Sequence, residues 1–146
     1  MVKNVQKLRA RTGAGVMECR RALEEAGGDF DRALQIINDK GLARAGKKSG
    51  RETGAGLIES YLHNGRIGVL LEIRAETDFV VRSEPFRELA HEIAMQIASM
   101  EPADVKALLG QPYIKDESIK VQDLIKRIIA KVGENITVKK FCRYEV

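Results

Sequence analysis

Tryptophan is absent from this 146-residue chain, and Phe, Trp and Tyr together make up only 5% of it. Sites that hold bases or sugars on stacked aromatic platforms are therefore disfavoured. Cysteine is nearly as scarce: Cys19 and Cys142 lie far apart and form no CxxC pair. They supply neither a disulfide scaffold nor a four-ligand zinc site, and such sparse usage points to a reducing, cytoplasmic home. The histidines, His63 and His91, share no HxxxH spacing, so each reads as a surface or boundary residue. No apolar run approaches the roughly 18 residues of a membrane span. The start, MVKNVQKLRAR, lacks an apolar leader, so neither membrane association nor a signal peptide is expected. Neither charge sign dominates, with 25 Lys and Arg against 21 Asp and Glu and a net charge of +4. That leaves RNA binding open without demanding it.

What is present is a globular composition: 44% hydrophobic and 32% charged residues. Apolar spacing of three and four predicts three short N-terminal helices. The first spans Val2 to Arg11 and breaks at Thr12-Gly13-Ala14-Gly15; the second spans Val16 to Ala26, with Cys19, Ala22, Leu23 and Ala26 on one face. Asp29 is placed to cap the third, whose stripe of Phe30, Ala33, Leu34 and Ile37 ends at Gly41 in the C′ position. Residues 42–54 are glycine-rich and charged and read as a linker, with a helical start at Leu42 to Ala45.

Beyond it, Leu57 to His63 and Arg66 to Arg74 are strand-like and flank Asn64-Gly65, the strongest short hairpin signal. Ile67, Val69, Leu71 and Ile73 alternate onto one face. Ala75 to Val81 reads as a loop, followed by a helix with Ser83 as cap, Pro85 in its first turn and a full apolar stripe from Phe86 to Ala98. Glu101 to Asp116 reads as a turn-rich connection and Ser118 to Val132 as a helix stopped by Gly133. A last strand from Ile136 to Val146 sets Ile136, Val138, Cys142, Tyr144 and Val146 against Thr137, Lys139, Arg143 and Glu145. The expected fold class is α+β: a three-helix bundle over 1–41, a linker over 42–54, and a core over 55–146 whose three-stranded antiparallel sheet packs on helices.

Most candidate motifs fail on context. Gly41, Gly46 and Lys47 fit a phosphate-loop spacing, but Lys48 stands where Ser or Thr is required and no strand precedes. Gly13-x-Gly15 and Gly54-x-Gly56 run into Glu18 and Glu59 where a dinucleotide fingerprint needs its third glycine. Cys19 on an apolar helix face and Cys142 on a strand are explained by packing. Glu72, Glu76 and Asp78 cluster in sequence, yet without a base partner or metal they make no acid–base pair. Arg44, Lys47, Lys48 and Arg51 suit a solvated linker or a phosphate contact. One segment resists such readings. Ala75 to Val81 places Phe79 beside Asp78 with Val80 and Val81 behind, where loops are usually polar. Phe79 either plugs the local core or is a knob that enters a partner.

Four ordered blocks resemble the bacterial-type translation elongation factor Ts family: Leu8 to Leu23, Arg66 to Leu70, Glu76 to Val80, and Gly133 to Ile136 together with Phe141 to Glu145. The resemblance implies a guanine nucleotide exchange factor that binds elongation factor Tu in its GDP form, with no cofactor, no metal and no turnover chemistry of its own. By position it makes Thr77, Asp78, Phe79 and Val80 the motif that dislocates Mg²⁺ from the partner's nucleotide site, with Phe79 as a wedge. The bundle would be similar to ubiquitin-associated domains and dock through Arg9, Val16 and Met17, although the family often has Met where this chain has Val16. Two larger departures stand out. The family's long helical insertion is missing between Met100 and Pro112, and only one core subdomain is present, which implies a homodimer with Cys142 near its axis. DNA, membrane and RNA contacts are not expected. Two other readings remain: an RNA- or ribosome-associated module using Lys47, Lys48 and Arg51, and a relative that dimerises and binds without exchanging nucleotide.

Overall fold

The N-terminal helices form where the apolar spacing places them. In the computed structural model, which describes residues 1–146, they are α1 (Val2–Thr12), α2 (Val16–Glu25) and α3 (Phe30–Lys48). Gly13 ends α1 in the left-handed region (φ 69°), its N–H reaching the Arg9 carbonyl. Asp29 caps α3 by accepting the Arg32 N–H at 2.9 Å. Leu8, Cys19, Ala22, Leu23, Ala33 and Ile37 close a small core of their own.

Gly41 does not end the third helix. α3 runs through it to Lys48, so most of the expected linker is helical and only 49–54 is irregular. The glycine is there for close approach: α3 crosses α7 (Val121–Val132) at this point, and a Cβ on Gly41 would sit 3.2 Å from the Ala130 Cβ. Ala45, one turn on, belongs to the larger core. Gly41 and Gly46 both lying inside a helix also removes any phosphate-cradling loop.

That larger core is built on a sheet of order β1-β2-β5, antiparallel throughout. β1 (Ala55–His63) and β2 (Ile67–Ala75) meet at Asn64 and Gly65, with φ of 52° and 65°, the type I′ geometry that matches strand twist. Val69, Leu71, Ile73 and Ala75 of β2 point inward, and α5 (Glu84–Met100) lays Phe86, Leu89, Ala90, Ile93, Ala94 and Ile97 over them. Val121, Ile125 and Ile129 of α7 complete this core.

Three expectations need correction here. The alternation expected of the last strand, β5 (Ile136–Glu145), breaks at a bulge: Glu72 pairs with Lys140 but Ile73 with Val138, leaving Lys139 without a partner. The extra residue flips the phase, so Phe141 and Arg143 turn inward while Cys142, Tyr144 and Val146 are exposed. The turn-rich connection contains α6 (Val105–Gly110) and a small hairpin, β3 (Pro112–Tyr113) with β4 (Asp116–Lys120), so Ser118 to Lys120 is strand rather than helix. Finally, the loop after β2 contains one helical turn, α4 (Asp78–Val81).

Candidate functional site

The turn at α4 is built by its neighbours in sequence and in space. Val80 and Val81 are buried in the core, at 5% and 6% exposure, and anchor the turn from below. Phe79 sits on the opposite side at 87% exposure. A free phenyl ring on an otherwise tightly packed turn is the feature that local spacing leaves undecided between plug and knob, and the structure decides for the exposed position. Asp78 and Thr77 are exposed beside it. Thr77 occupies the N-cap position of α4 and accepts the Val80 N–H on its hydroxyl at 3.4 Å.

A second segment holds this turn, and sequence reasoning missed it. Glu134 accepts the Thr77 N–H at 2.9 Å and the Thr77 hydroxyl at 2.8 Å. Next to it, buried Asn135 donates its N–H to Glu76 at 2.9 Å and its side-chain amide to the Arg51 carbonyl at 2.8 Å. The Arg51 guanidinium lies 3.6 Å from the same Glu76 carboxylate. The turn, the Glu134–Asn135 corner and the segment leaving α3 thus share one hydrogen-bonded cluster. Glu134 and Asn135 stood in a resembling block, but nothing local links them to Thr77.

On the bundle, Arg9 and Val16 line a shallow apolar groove between α1 and α2 together with Met1, Val2 and Val5. Met17 is exposed next to Val16. The other sequence candidates are dispersed. Glu72 pairs with Arg74 at 2.7 Å, and that bond holds its carboxyl below the ordinary range. Glu76 serves Asn135, and Asp78 faces solvent. Cys19 is fully buried, and burial pushes its thiol up. Cys142, assigned to packing from the sequence, is exposed because of the β5 bulge. His63 and His91 both lie against Tyr61, with ring centroids 6.1 and 5.9 Å away.

An exposed ring beside an exposed carboxylate, and an apolar groove on a separate small bundle, are surfaces for meeting another macromolecule. Neither feature brings together the acid, base, nucleophile or metal ligands of a reaction centre, so the contacts they offer are those of a binding surface. Comparison with known proteins agrees. The family profile described as Elongation factor TS matches residues 76–146. The chain is 42% identical to the elongation factor Ts of Thermotoga petrophila over 186 aligned positions, covering 97% of this chain and 94% of that protein. It is 42% identical to the elongation factor Ts of Fervidobacterium nodosum (97% and 95% covered) and of Desulforamulus reducens (97% and 87% covered). The chain belongs to the elongation factor Ts family. It is a translation factor, not an enzyme, with a role in translation elongation. The alignments are longer than the chain itself, so the relatives carry residues with no counterpart here.

Proposed function

We propose that this protein is a guanine nucleotide exchange factor that binds elongation factor Tu in its GDP form and drives GDP out. Thr77, Asp78, Phe79 and Val80 form the working turn. Phe79 is the wedge, Asp78 brings negative charge to the groups that hold Mg²⁺ and phosphate, Thr77 caps the turn and buried Val80 anchors it. The observation that carries this reading is the 87% exposure of Phe79 on a turn fixed from beneath. Like charge placed beside phosphate, and an apolar ring forced between helices, both destabilise the nucleotide-bound arrangement without any covalent step.

The energetics call for more than the wedge. Because coupling is reciprocal, loosening GDP about ten-thousandfold requires about 5.5 kcal/mol of differential binding. Burying one Phe supplies about 1.5–3 kcal/mol. The bundle supplies the remainder, docking through Arg9, Val16 and Met17, and this is the reason for two contact regions on one chain. Residues 1–41 serve as the docking module and 55–146 as the exchange and dimerisation core. A homodimer is supported by the outer face of the sheet, where Ile58, Leu62, Leu70 and Tyr144 are all exposed. Cytoplasmic residence goes with this partner; no helix here is long and apolar enough to cross a membrane.

Stopped-flow release of fluorescent GDP from purified elongation factor Tu tests the proposal. Release is expected to accelerate with added protein and to saturate, without RNA. Flat kinetics at saturating protein would reject exchange activity.

A further inference from the structure

A single turn of helix such as α4 does not hold itself together, since one hydrogen-bonded turn does not repay the ordering of its residues. In a capping box the N-cap residue's own N–H is accepted by a Glu or Gln three positions on. Three residues after Thr77 stands Val80, which accepts nothing through its side chain. The missing acceptor is Glu134, 57 positions away in sequence, which takes both the N–H and the hydroxyl of Thr77 at 2.9 and 2.8 Å. Its own position is set on both sides. Gly133 ends α7 in the left-handed region (φ 80°), its N–H reaching the Ile129 carbonyl at 2.8 Å. Asn135 is 3% exposed and bonded to Glu76, Ser49 and Arg51.

We infer that Glu134 is a positioning residue for nucleotide exchange: its carboxylate clasps Thr77 and fixes the direction in which Asp78 and Phe79 project. This rests on the exchange reading above. Glu134 touches no partner in this account; it acts only through Thr77. Asn135 ties the same corner to the segment that leaves the bundle, so the clasp also fixes the turn relative to the docking module.

The test uses the full chain with three substitutions, Glu134→Ala, Glu134→Gln and Phe79→Ala, read by limiting GDP-release rate, by the half-saturating concentration and by amide exchange at Thr77 and Val80. Glu134→Ala is expected to lower the limiting rate about tenfold, the size of effect that misplacing a working group by a fraction of an ångström produces. The half-saturating concentration stays within about twofold, because the docking module is untouched. Protection of the two amides falls at least about tenfold. Glu134→Gln keeps an acceptor oxygen for the Thr77 N–H and restores the rate to within about threefold of the parent. A purely structural role would lower the active fraction and leave the limiting rate alone. If Phe79→Ala slows release while Glu134→Ala leaves the limiting rate unchanged, or if the Gln variant is as slow as the Ala variant, the clasp is wrong. If Phe79→Ala has no effect, the wedge reading fails first and takes the clasp with it.

Discussion

Adjacent residues in α4 stand at opposite extremes of burial. Phe79 contributes little to the fold because water already surrounds it, whereas Val80 is 5% exposed and packs into the larger core. Surface substitutions away from specific features usually stay within about 0.5 kcal/mol, while truncating a buried aliphatic side chain loses both transfer energy and packing. Phe79→Ala is therefore expected to leave denaturant stability within about 0.5 kcal/mol of the parent while slowing GDP release. Val80→Ala is expected to cost roughly 2 kcal/mol. Chemical denaturation beside stopped-flow release checks the pair. A large stability loss in Phe79→Ala would mean the ring is part of this molecule's core after all. That ring's location was not decided by the sequence: the spacing of Phe79, Val80 and Val81 permits either side of the turn to face inward. What settles it is the pull of two valines that the sheet and α5 accommodate.

Among the elements, those governed by local rules were legible and those governed by distant partners were not. Asn64-Gly65 dictated a tight hairpin, and the stripe from Phe86 to Ala98 dictated a covering helix, because turn chemistry and periodicity act within a few residues. Gly41 is a helix terminator by local rules, yet α3 continues through it to pack on α7, where the nearness of Ala130 favours a residue without a Cβ. The bulge at Lys139 depends on pairing with β2, and the Glu134–Thr77 contact on closure of the whole core. The β3–β4 hairpin was unreadable for a similar reason: its two strands pair with each other, but side chains of α5 hold them in place. Gln96 is fully buried and accepts the Ile114 N–H at 2.9 Å while donating to the Pro112 carbonyl at 3.0 Å. Glu92 accepts from the Tyr113 hydroxyl at 2.8 Å and from Lys115 at 2.6 Å. Burial pushes the Glu92 carboxyl up, but these two bonds outweigh it and hold the group below its ordinary value of 4.5. A depressed carboxyl contributes stability that is complete above its unfolded value and is lost as pH falls through the folded one. Glu92→Gln is accordingly expected to cost roughly 1 kcal/mol near neutral pH, a figure kept small because Lys115 is half exposed. Its unfolding midpoint should also fall less steeply than the parent's as pH drops below about 4.5. Urea titrations across that range measure both effects; identical acid limbs would remove Glu92 from the account of hairpin docking.

For the molecule as a whole, the sheet has one covered face and one open face, and the open face carries Ile58, Leu62, Leu70 and Tyr144 exposed beside the Glu72–Arg74 ion pair. The register sets Leu62, Gly68 and Tyr144 in one row across the three strands and Ser60, Leu70 and Cys142 in the next. Leu62 and Tyr144 are 72% and 78% exposed, and Ile58 lies on the same face of β1. Three-stranded sheets gain independent stability by covering their faces. On the inner side α5 does so; on the outer side none of the elements over residues 1–146 packs on it. A second copy meeting the first about a twofold axis would bring the same rows against each other, since such an interface is self-complementary. Leu70, at the centre of the central strand, tests this with little risk to the fold because it is already 52% exposed in the monomer. Sedimentation equilibrium is expected to show the parent at about twice the 16.2 kDa chain mass and Leu70→Lys at the chain mass, with unchanged helical circular dichroism. A buried lysine at the centre of an isologous interface meets its own copy, and the unpaired charge costs several kcal/mol on each side. A parent that sediments as a monomer would rule out the homodimer. The proposed exchange would then rest on one copy of Phe79 and one copy of the groove lined by Arg9 and Val16.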